Sequence, residues 1–460
     1  MAQALLRRTP TLASLAAMAA ALAFASPAAA AGDCTKYAAP NGSDAAPGTE
    51  LLPLRTAQKL ASSLHAGDTG CLRAGTYSED VELTEAGTAG ARITFRSYPG
   101  ERAGIVGRFA VRAGADHVTV SNLHLNGKVP GGELGPAISS DQVIFEDNDV
   151  TNEHTAICFL VGTLTGRPQG TIIRRNRIHD CGRLPATNLA HGIYMSNADD
   201  TQILDNTIYD NADQGISFYP DAQRTLVKGN VIDGNGQGVI FSGDDGVSSN
   251  GSVVEGNVIT NSRLRHNVES WYPEGNPVGQ GNTVRGNCIH GGTSDNGDGG
   301  VSDEKGFELH DNVVADPQYV NRAAKDFRLA PGSPCAGILG SGGGQAPAPA
   351  PAPAPEAPGQ VTLQIPHVVA GAGQLVWVTG TVVLPAQLQP SAGVRKRRVL
   401  VQRRTKGGWR TVARVRVGKR GRFQARVRVR ALRGQRVVRM RAVVRDVAHS
   451  RVRRVTVPGR

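Results

Sequence analysis

Beyond residue 31 the sequence has no apolar run approaching the roughly 20 residues that a membrane-spanning helix needs. It also lacks a Gly-rich phosphate loop, a Cys-x-x-Cys pair and a Gly-x-Ser-x-Gly turn, which removes the simplest routes to phosphoryl transfer, thiolate metal binding and serine hydrolysis. Acids are almost missing from the last hundred residues. From Gln360 to Arg460 there are 25 Lys and Arg against Asp446 alone, 25 − 1 = +24, so the rest of this +12 chain carries 12 − 24 = −12. Few aromatics interleave those arginines, so the stacking platform of a single-strand nucleic-acid binder is absent and nucleic acid is a poor candidate partner.

The first 31 residues hold Arg7-Arg8, an Ala/Leu stretch and Ser26-Pro27-Ala28-Ala29-Ala30-Ala31, the layout of a cleaved signal peptide and hence of a secreted, extracellular protein. Six cysteines in an exported chain are expected to be at least partly oxidised. Cys34 and Cys71 are the favoured pair; Cys158 with Cys181 is plausible and Cys288 with Cys335 remains by elimination, other pairings staying open. Ser341 and the glycines after it lead into an Ala-Pro run ending at Pro358, an extended spacer over 341–358. The basic region 359–460 reads as β-structure. Phe423, Ala425, Val427 and Val429 alternate with Gln424, Arg426, Arg428 and Arg430, as do Ala413, Val415 and Val417 with Arg414 and Arg416, which places the arginines on one face of a small, Ig-like β-sandwich. A face so poor in acids is expected to adhere to a polyanion, such as an acidic glycan or an anionic cell-envelope polymer.

The middle of the chain is repetitive. An asparagine, mostly in the frame Asn-x-(Ile/Val/Leu), recurs at Asn122, Asn148, Asn176, Asn206, Asn230, Asn257, Asn287 and Asn312, at spacings of 26, 28, 30, 24, 27, 30 and 25 residues. A second element precedes many of them, as His191-Gly192-Ile193-Tyr194, Gln214-Gly215-Ile216-Ser217 and Gln237-Gly238-Val239-Ile240. Each period therefore holds two or three short strands, and Gly, Asn and β-branched content excludes paired helices. The reading is an all-β chain in which residues 32–340 form a right-handed parallel β-helix of eight to ten coils, with the eight asparagines bonding to one another at a fixed turn. Leu54, Ala57, Leu60, Ala61 and Leu64 share one helical face and are expected to form an N-terminal helical cap.

Tyr37 through Thr49, Pro53 through Leu60 and Ala66 through Tyr77 resemble the opening of secreted right-handed parallel β-helix proteins of the pectate-lyase-like superfamily, and Asp316 through Asn321, Asp326 through Leu329 and Pro331 through Pro334 resemble the last coil of that group. The resemblance implies an acidic polysaccharide lying along an outer face and cleaved by β-elimination. The Asp-Pro-His-Asp motif of mannuronan epimerases is absent, as is the spaced Lys and Arg motif of alginate and chondroitin lyases, so no catalytic residue carries over.

Candidates therefore come from the columns that the repeat creates. Taking Ile157, Ile193, Ile216, Val239 and Val268 as core places Cys158, Tyr194, Ser217, Ile240 and Glu269 in one outward column and Leu160, Ser196, Tyr219, Ser242 and Trp271 in the next. Tyr194, Tyr219 and Trp271 are the candidate sugar platform, with Tyr219 and Trp271 about 10 Å apart if two coils separate them. Arg265, His266, Glu269 and Lys305 are the candidate catalytic groups, for carboxylate neutralisation and proton transfer. The pair Asp244-Asp245 is a candidate calcium site, with Asp199-Asp200 and Asp295 with Asp298 as weaker ones. Two function classes fit: a monomeric polysaccharide lyase, ahead of a glycoside hydrolase or uronate epimerase, or a non-catalytic adhesin or glycan-binding rod.

Overall fold

The computed structural model describes residues 34–128, 135–162, 166–303 and 305–339, and from 360 onward the strands alone. The expected signal peptide at 1–31 and spacer at 341–358 lie outside the described residues, as do Val417, Val429 and Arg430. The chain divides into two compact units, 1–347 and 348–460. No helix among the described residues is long and apolar enough to cross a membrane.

The first unit is a parallel β-solenoid of about nine turns, wound from sheets of eleven, ten and nine strands. One turn runs from Ile172–Arg174 in the eleven-stranded sheet, through Arg177–His179 in the ten-stranded sheet, to Ile193–Asp199 in the nine-stranded sheet. Strands of consecutive turns pair in register, as Ile173 with Ile203, Ile178 with Ile208 and Ile193 with Ile216. Register preserves facing, so one inward residue per strand recurs down each sheet and all are buried: Phe145, Ile173, Ile203, Val227 and Val254; Val150, Ile178, Ile208, Ile232 and Ile259; Phe159, Ile193, Ile216, Val239 and Val268. Phenylalanines stack through this core, Phe95, Phe109, Phe145 and Phe159 with ring centroids 5.9, 5.9 and 5.3 Å apart, and Phe218, Phe241 and Phe307 at 5.2 Å each.

Between the eleven- and ten-stranded sheets each turn makes a two-residue corner. Its first residue has positive φ, a conformation suited to Gly and tolerated by Asp and Asn: Asp147, Arg175, Asp205, Gly229, Gly256, Gly286 and Asp311. Its second residue is the repeating asparagine. Each side-chain carbonyl accepts the backbone N–H and the amide of the asparagine one turn earlier; Asn176 reaches Asn206 Oδ1 at 2.9 and 3.0 Å, and Asn206 reaches Asn230 at 2.8 and 3.0 Å. The same amides donate to strand carbonyls, Asn206 to Ile173 and Asn230 to Ile203 at 2.8 Å. The ladder runs from Asn148 to Asn312, and Asn122 is not a member. Asn122 occupies the positive-φ position, Leu123 fills the ladder position, and the Leu123 N–H rather than an asparagine amide meets Asn148 Oδ1 at 3.0 Å. A second, shorter ladder joins Asn211 to Asn235 at 2.8 Å.

At the N-terminal side, among the described residues, only Ala57–Ala61 is helical, with Thr56 as N-cap and Glu79 accepting the Ala57 and Gln58 N–H groups at 2.9 and 3.1 Å. Leu54, Ala57, Leu60, Ala61 and Leu64 all join the solenoid core. Three disulfides join Cys34 to Cys71, Cys158 to Cys181 and Cys288 to Cys335. The segment after Ala315 adds no coil, contrary to the resemblance of 316–334 to a closing one. Tyr319–Asn321 and Asp326–Leu329 form an antiparallel pair, Phe327 packs on Tyr209 and Val231 of the ten-stranded sheet, and Arg322 reaches the buried Asp233 at 2.8 Å. In the second unit the strands are antiparallel, in sheets of three and five. Phe423, Ala425 and Val427 are buried there while Gln424 and Arg426 are exposed, as the alternation requires.

The outer face of the ten-stranded sheet carries a polar cluster that the sequence analysis passed over. Register sets His124 and Arg177 beside Asp149, and His179 beside Tyr209. The Asp149 carboxylate lies 3.2 Å from His124 Nδ1 and 3.0 Å from His179 Nε2, while His179 Nδ1 lies 2.8 Å from Asp180 and its ring stacks on Tyr209. Burial alone would raise the Asp149 pKa, but the two imidazoles outweigh it and hold the carboxyl well below the usual range. Burial alone would lower His179, and its two carboxylate partners outweigh that and raise it.

Two outcomes follow. Asn206→Ala leaves the buried Asn176 N–H without its acceptor and removes the amide bonds to Asn230 and to the Ile173 carbonyl, and is expected to cost roughly 2–4 kcal/mol, against under about 1 kcal/mol for Asn122→Gly at the positive-φ site. Denaturant unfolding of the two variants checks this, and equal losses would remove the ladder from its supporting role. His179, with its folded pKa raised above 6.5, contributes stability that is present in full below that value and lost as pH rises through the raised one. The gap in unfolding midpoint between wild type and His179→Gln should therefore shrink as pH rises from about 6.5 through the raised value. A gap that widens with pH contradicts the assignment.

Candidate functional site

The nine-stranded sheet presents the sequence-derived candidates on its outer face, with one shift of alignment. Phe159, not Ile157, pairs with Ile193, so Leu160 heads the column of Tyr194, Ser217, Ile240 and Glu269. Cys158 is buried in its disulfide and faces no groove. The two-residue displacement arises because the coil around Ala156 holds a polar turn in which the Asn152 amide donates to the Ala156 carbonyl at 2.6 Å.

Tyr194, Tyr219 and Trp271 form a continuous aromatic strip. Tyr194 and Tyr219 stack with centroids 6.3 Å apart, and Tyr219 lies 6.0 Å from Trp271, whose surface is 46% exposed. The separation is 6.0 Å rather than about 10 Å because the residue between them in register, Ser242, is small and turns its hydroxyl onto the Phe218 carbonyl at 2.7 Å, letting the rings lean together across it. The Tyr219 hydroxyl donates to Asp244 Oδ2 at 3.0 Å. Burial first, and then the Asp244 carboxylate, push this phenol up to about 12, so it stays protonated at neutral pH and offers a ring face rather than a base.

Two residues before Trp271 on the same strand, and so on the same face, stands Glu269. Its side chain is only 6% exposed; Oε1 accepts from Arg265 Nη2 at 2.9 Å and Oε2 lies 3.2 Å from His266 Nδ1. A carboxylate beside Nδ1 fixes the tautomer with the proton there, leaving Nε2 as the nitrogen not engaged by Glu269. The Gln237 amide, oriented to suit its neighbours, accepts from Arg265 at 2.8 Å and donates to Glu269 at 3.2 Å. Glu269 is thus a buried holder of Arg265 and His266, a role different from the direct one expected of it.

Lys305 does not join this group. Its ammonium lies 5.9 Å from the centre of the Tyr272 ring, and Tyr272 alternates with Trp271 to the buried side. The acidic pairs are engaged by groups of the protein itself. Asp244 Oδ2 accepts from Tyr219 and Oδ1 from the Asp245 N–H at 2.8 Å; Asp199 and Asp200 pair with Arg224, and Asp295 accepts the N–H groups of Gly291, Gly297 and Gly299. Among the described residues no three His, Cys, Asp or Glu side chains converge.

The sequence analysis missed Asn188 and Asp213. Asn188 lies in the insertion 183–190, which carries no periodic signal, and Asp213 meets that insertion from the next turn. Asn188 Oδ1 accepts from Gln214 at 2.6 Å and from Arg265 at 3.3 Å. His191, at the end of the insertion, is buried, and burial pushes its imidazole down to about 4, so it is neutral at physiological pH.

The sequence model of the right handed beta helix region matches residues 111–314. An uncharacterized protein of Bacillus subtilis, YwoF, is 40% identical over 77 residues, which span 17% of this chain and 16% of that protein. Pectate lyase PEL9 of Emericella nidulans is 42% identical over 67 residues, 14% of this chain and 16% of the relative. The matched segments thus span about a sixth of each curated relative. Among solved structures, pectate lyase Pel9A aligns at 13% identity over 66% of this chain and 92% of its own, with a TM-score of 0.44. The parallel three-sheet winding and the match over 111–314 show that the chain contains a right-handed parallel β-helix region.

Proposed function

We propose that the chain is an extracellular protein that binds an acidic polysaccharide along the nine-stranded face and cleaves it by β-elimination. The observation that carries this reading is the Tyr194–Tyr219–Trp271 strip lying on the same face as Arg265, His266 and Glu269. Sugar rings stack on exposed aromatic faces, and the polymer's carboxylate meets the Arg265 guanidinium. Withdrawal of charge onto that carboxylate acidifies the C5 proton. His266 Nε2 takes the proton, the C4–O4 bond breaks as the C4=C5 bond forms, and the departing oxygen takes a proton from the imidazolium or from water. Glu269 stabilises the imidazolium through Nδ1 and sets the ring orientation, as buried carboxylates do beside catalytic histidines.

The unbalanced charge of the second unit supports adhesion to a polyanion, an acidic glycan or an anionic envelope polymer, by its basic strands. In strand Gly408–Arg416 the side chains of Arg410, Arg414 and Arg416 are exposed, and in the next two strands of the same sheet Val399, Val401, Val438, Met440 and Ala442 are buried.

Incubating the protein with a panel of uronate polymers and following the ultraviolet absorbance of unsaturated ends tests the reaction. His266→Asn should lower turnover by about 10²-fold or more with little loss of binding, Glu269→Gln should lower turnover to a similar extent and also weaken binding because it releases Arg265, and Trp271→Ala should weaken binding about tenfold without unfolding the β-structure. Lys305→Ala should change neither. Binding without product from any polymer would make the solenoid a non-catalytic glycan-binding rod. For the second unit, replacing Arg410, Arg414 and Arg416 together by Ser in the full chain should weaken attachment to polyanion-coated beads and flatten its salt dependence, because screening reaches within about 8 Å at physiological ionic strength. Attachment that ignores both the substitutions and salt would overturn the electrostatic anchor.

A further inference from the structure

The Asp213 carboxylate is 1% exposed and forms no salt bridge among the described residues, although it sits one residue before the Gln214 strand of the nine-stranded sheet. A buried charge without a cation is costly unless hydrogen bonds replace one. Here they do. Oδ1 accepts the Asn188 N–H at 2.8 Å, and Oδ2 accepts those of Leu189 and Ala190 at 3.0 and 2.9 Å. Three consecutive N–H groups of an insertion without regular structure are thereby pinned to the next turn, with Asn188 held at positive φ.

The pinned residue is the one that meets the site. Asn188 Oδ1 accepts from Arg265 Nη2 at 3.3 Å and from Gln214 Nε2 at 2.6 Å, while Gln214 touches Gln237 and Gln237 touches both Arg265 and Glu269. Arg265 is therefore held from two sides, by Glu269 below and by the insertion above. Its side chain is 44% exposed, so without those partners it would sample many rotamers and lose the geometry that a carboxylate ligand needs.

We propose that Asp213 is a positioning residue of this groove, which fixes the 183–190 insertion through three backbone N–H groups and, through Asn188, aims Arg265 at the carboxylate of the bound polymer. The ligand half of this inference rests on the proposed function; the clamp itself does not.

The experiment uses the full chain, with Asp213→Asn and Asn188→Ala. Amide hydrogen exchange reports the clamp, and Kd for polygalacturonate, with a neutral glucan as control, reports the aim. In Asp213→Asn the amides of Asn188, Leu189 and Ala190 should exchange at least about tenfold faster while the asparagine ladder stays protected, and affinity for polygalacturonate should fall about tenfold. Asn188→Ala should weaken polygalacturonate to a similar extent with the Leu189 and Ala190 amides still protected. Neither variant should alter any binding of the neutral polymer. Faster exchange in Asp213→Asn with unchanged polygalacturonate affinity would reduce Asp213 to a structural clamp, and unchanged exchange would overturn the clamp itself. If wild type binds no uronate polymer, the proposed function fails, while the exchange result still decides the clamp.

Discussion

A chain that turns a corner at every level of a solenoid must satisfy the backbone groups of each corner without water, and the asparagine ladder is the device that does so. Each amide replaces the partners that the bent backbone cannot give itself, and each carbonyl receives the donors of the preceding turn. The ladder also fixes register, because a turn displaced by one residue would leave a buried N–H and a buried amide facing apolar side chains. Once register is fixed, inward columns become a continuous aliphatic and phenylalanine core, and outward columns become rows of aligned side chains.

The groove is a consequence of those rows. Tyr219, Ser242 and Trp271 belong to three successive turns of one column, and the smallness of the middle residue brings the two rings into contact. Glu269 lies in the neighbouring column, where the same register places it over Ile240 and leaves its carboxylate to be satisfied by Arg265 and His266 from the loop before it. The opposite use of the same geometry appears on the ten-stranded sheet. There His124, Asp149 and His179 come from three successive turns and satisfy one another instead of facing a groove.

Much of this is legible in the sequence because a solenoid converts spacing into neighbourhood. The period of the asparagines gives the fold, and the Gly-Ile and Gly-Val pairs at 192–193, 215–216 and 238–239 give the facing of Tyr194, Tyr219, Glu269 and Trp271. Periodicity fails where a turn changes length. Asn122 looks like a ladder member but stands one place early, and Ile157 looks like a core residue although Phe159 holds that position. Lys305 is close to the site in repeat number yet pairs with Tyr272, because loop paths between strands leave no periodic trace. Asp213 and Asn188 escaped for the same reason: their contact depends on the path of an insertion rather than on its count of residues.

The central claim is that the nine-stranded face holds an acidic glycan with its carboxylate at Arg265. A crystal structure of the His266→Asn variant, inactivated to preserve the ligand, soaked with a short oligouronate measures this most directly. Sugar rings should lie over Tyr219 and Trp271 with a carboxylate in a two-bond contact with the Arg265 guanidinium. Oligosaccharide bound elsewhere on the solenoid, with the Tyr194–Tyr219–Trp271 face bare, would contradict it.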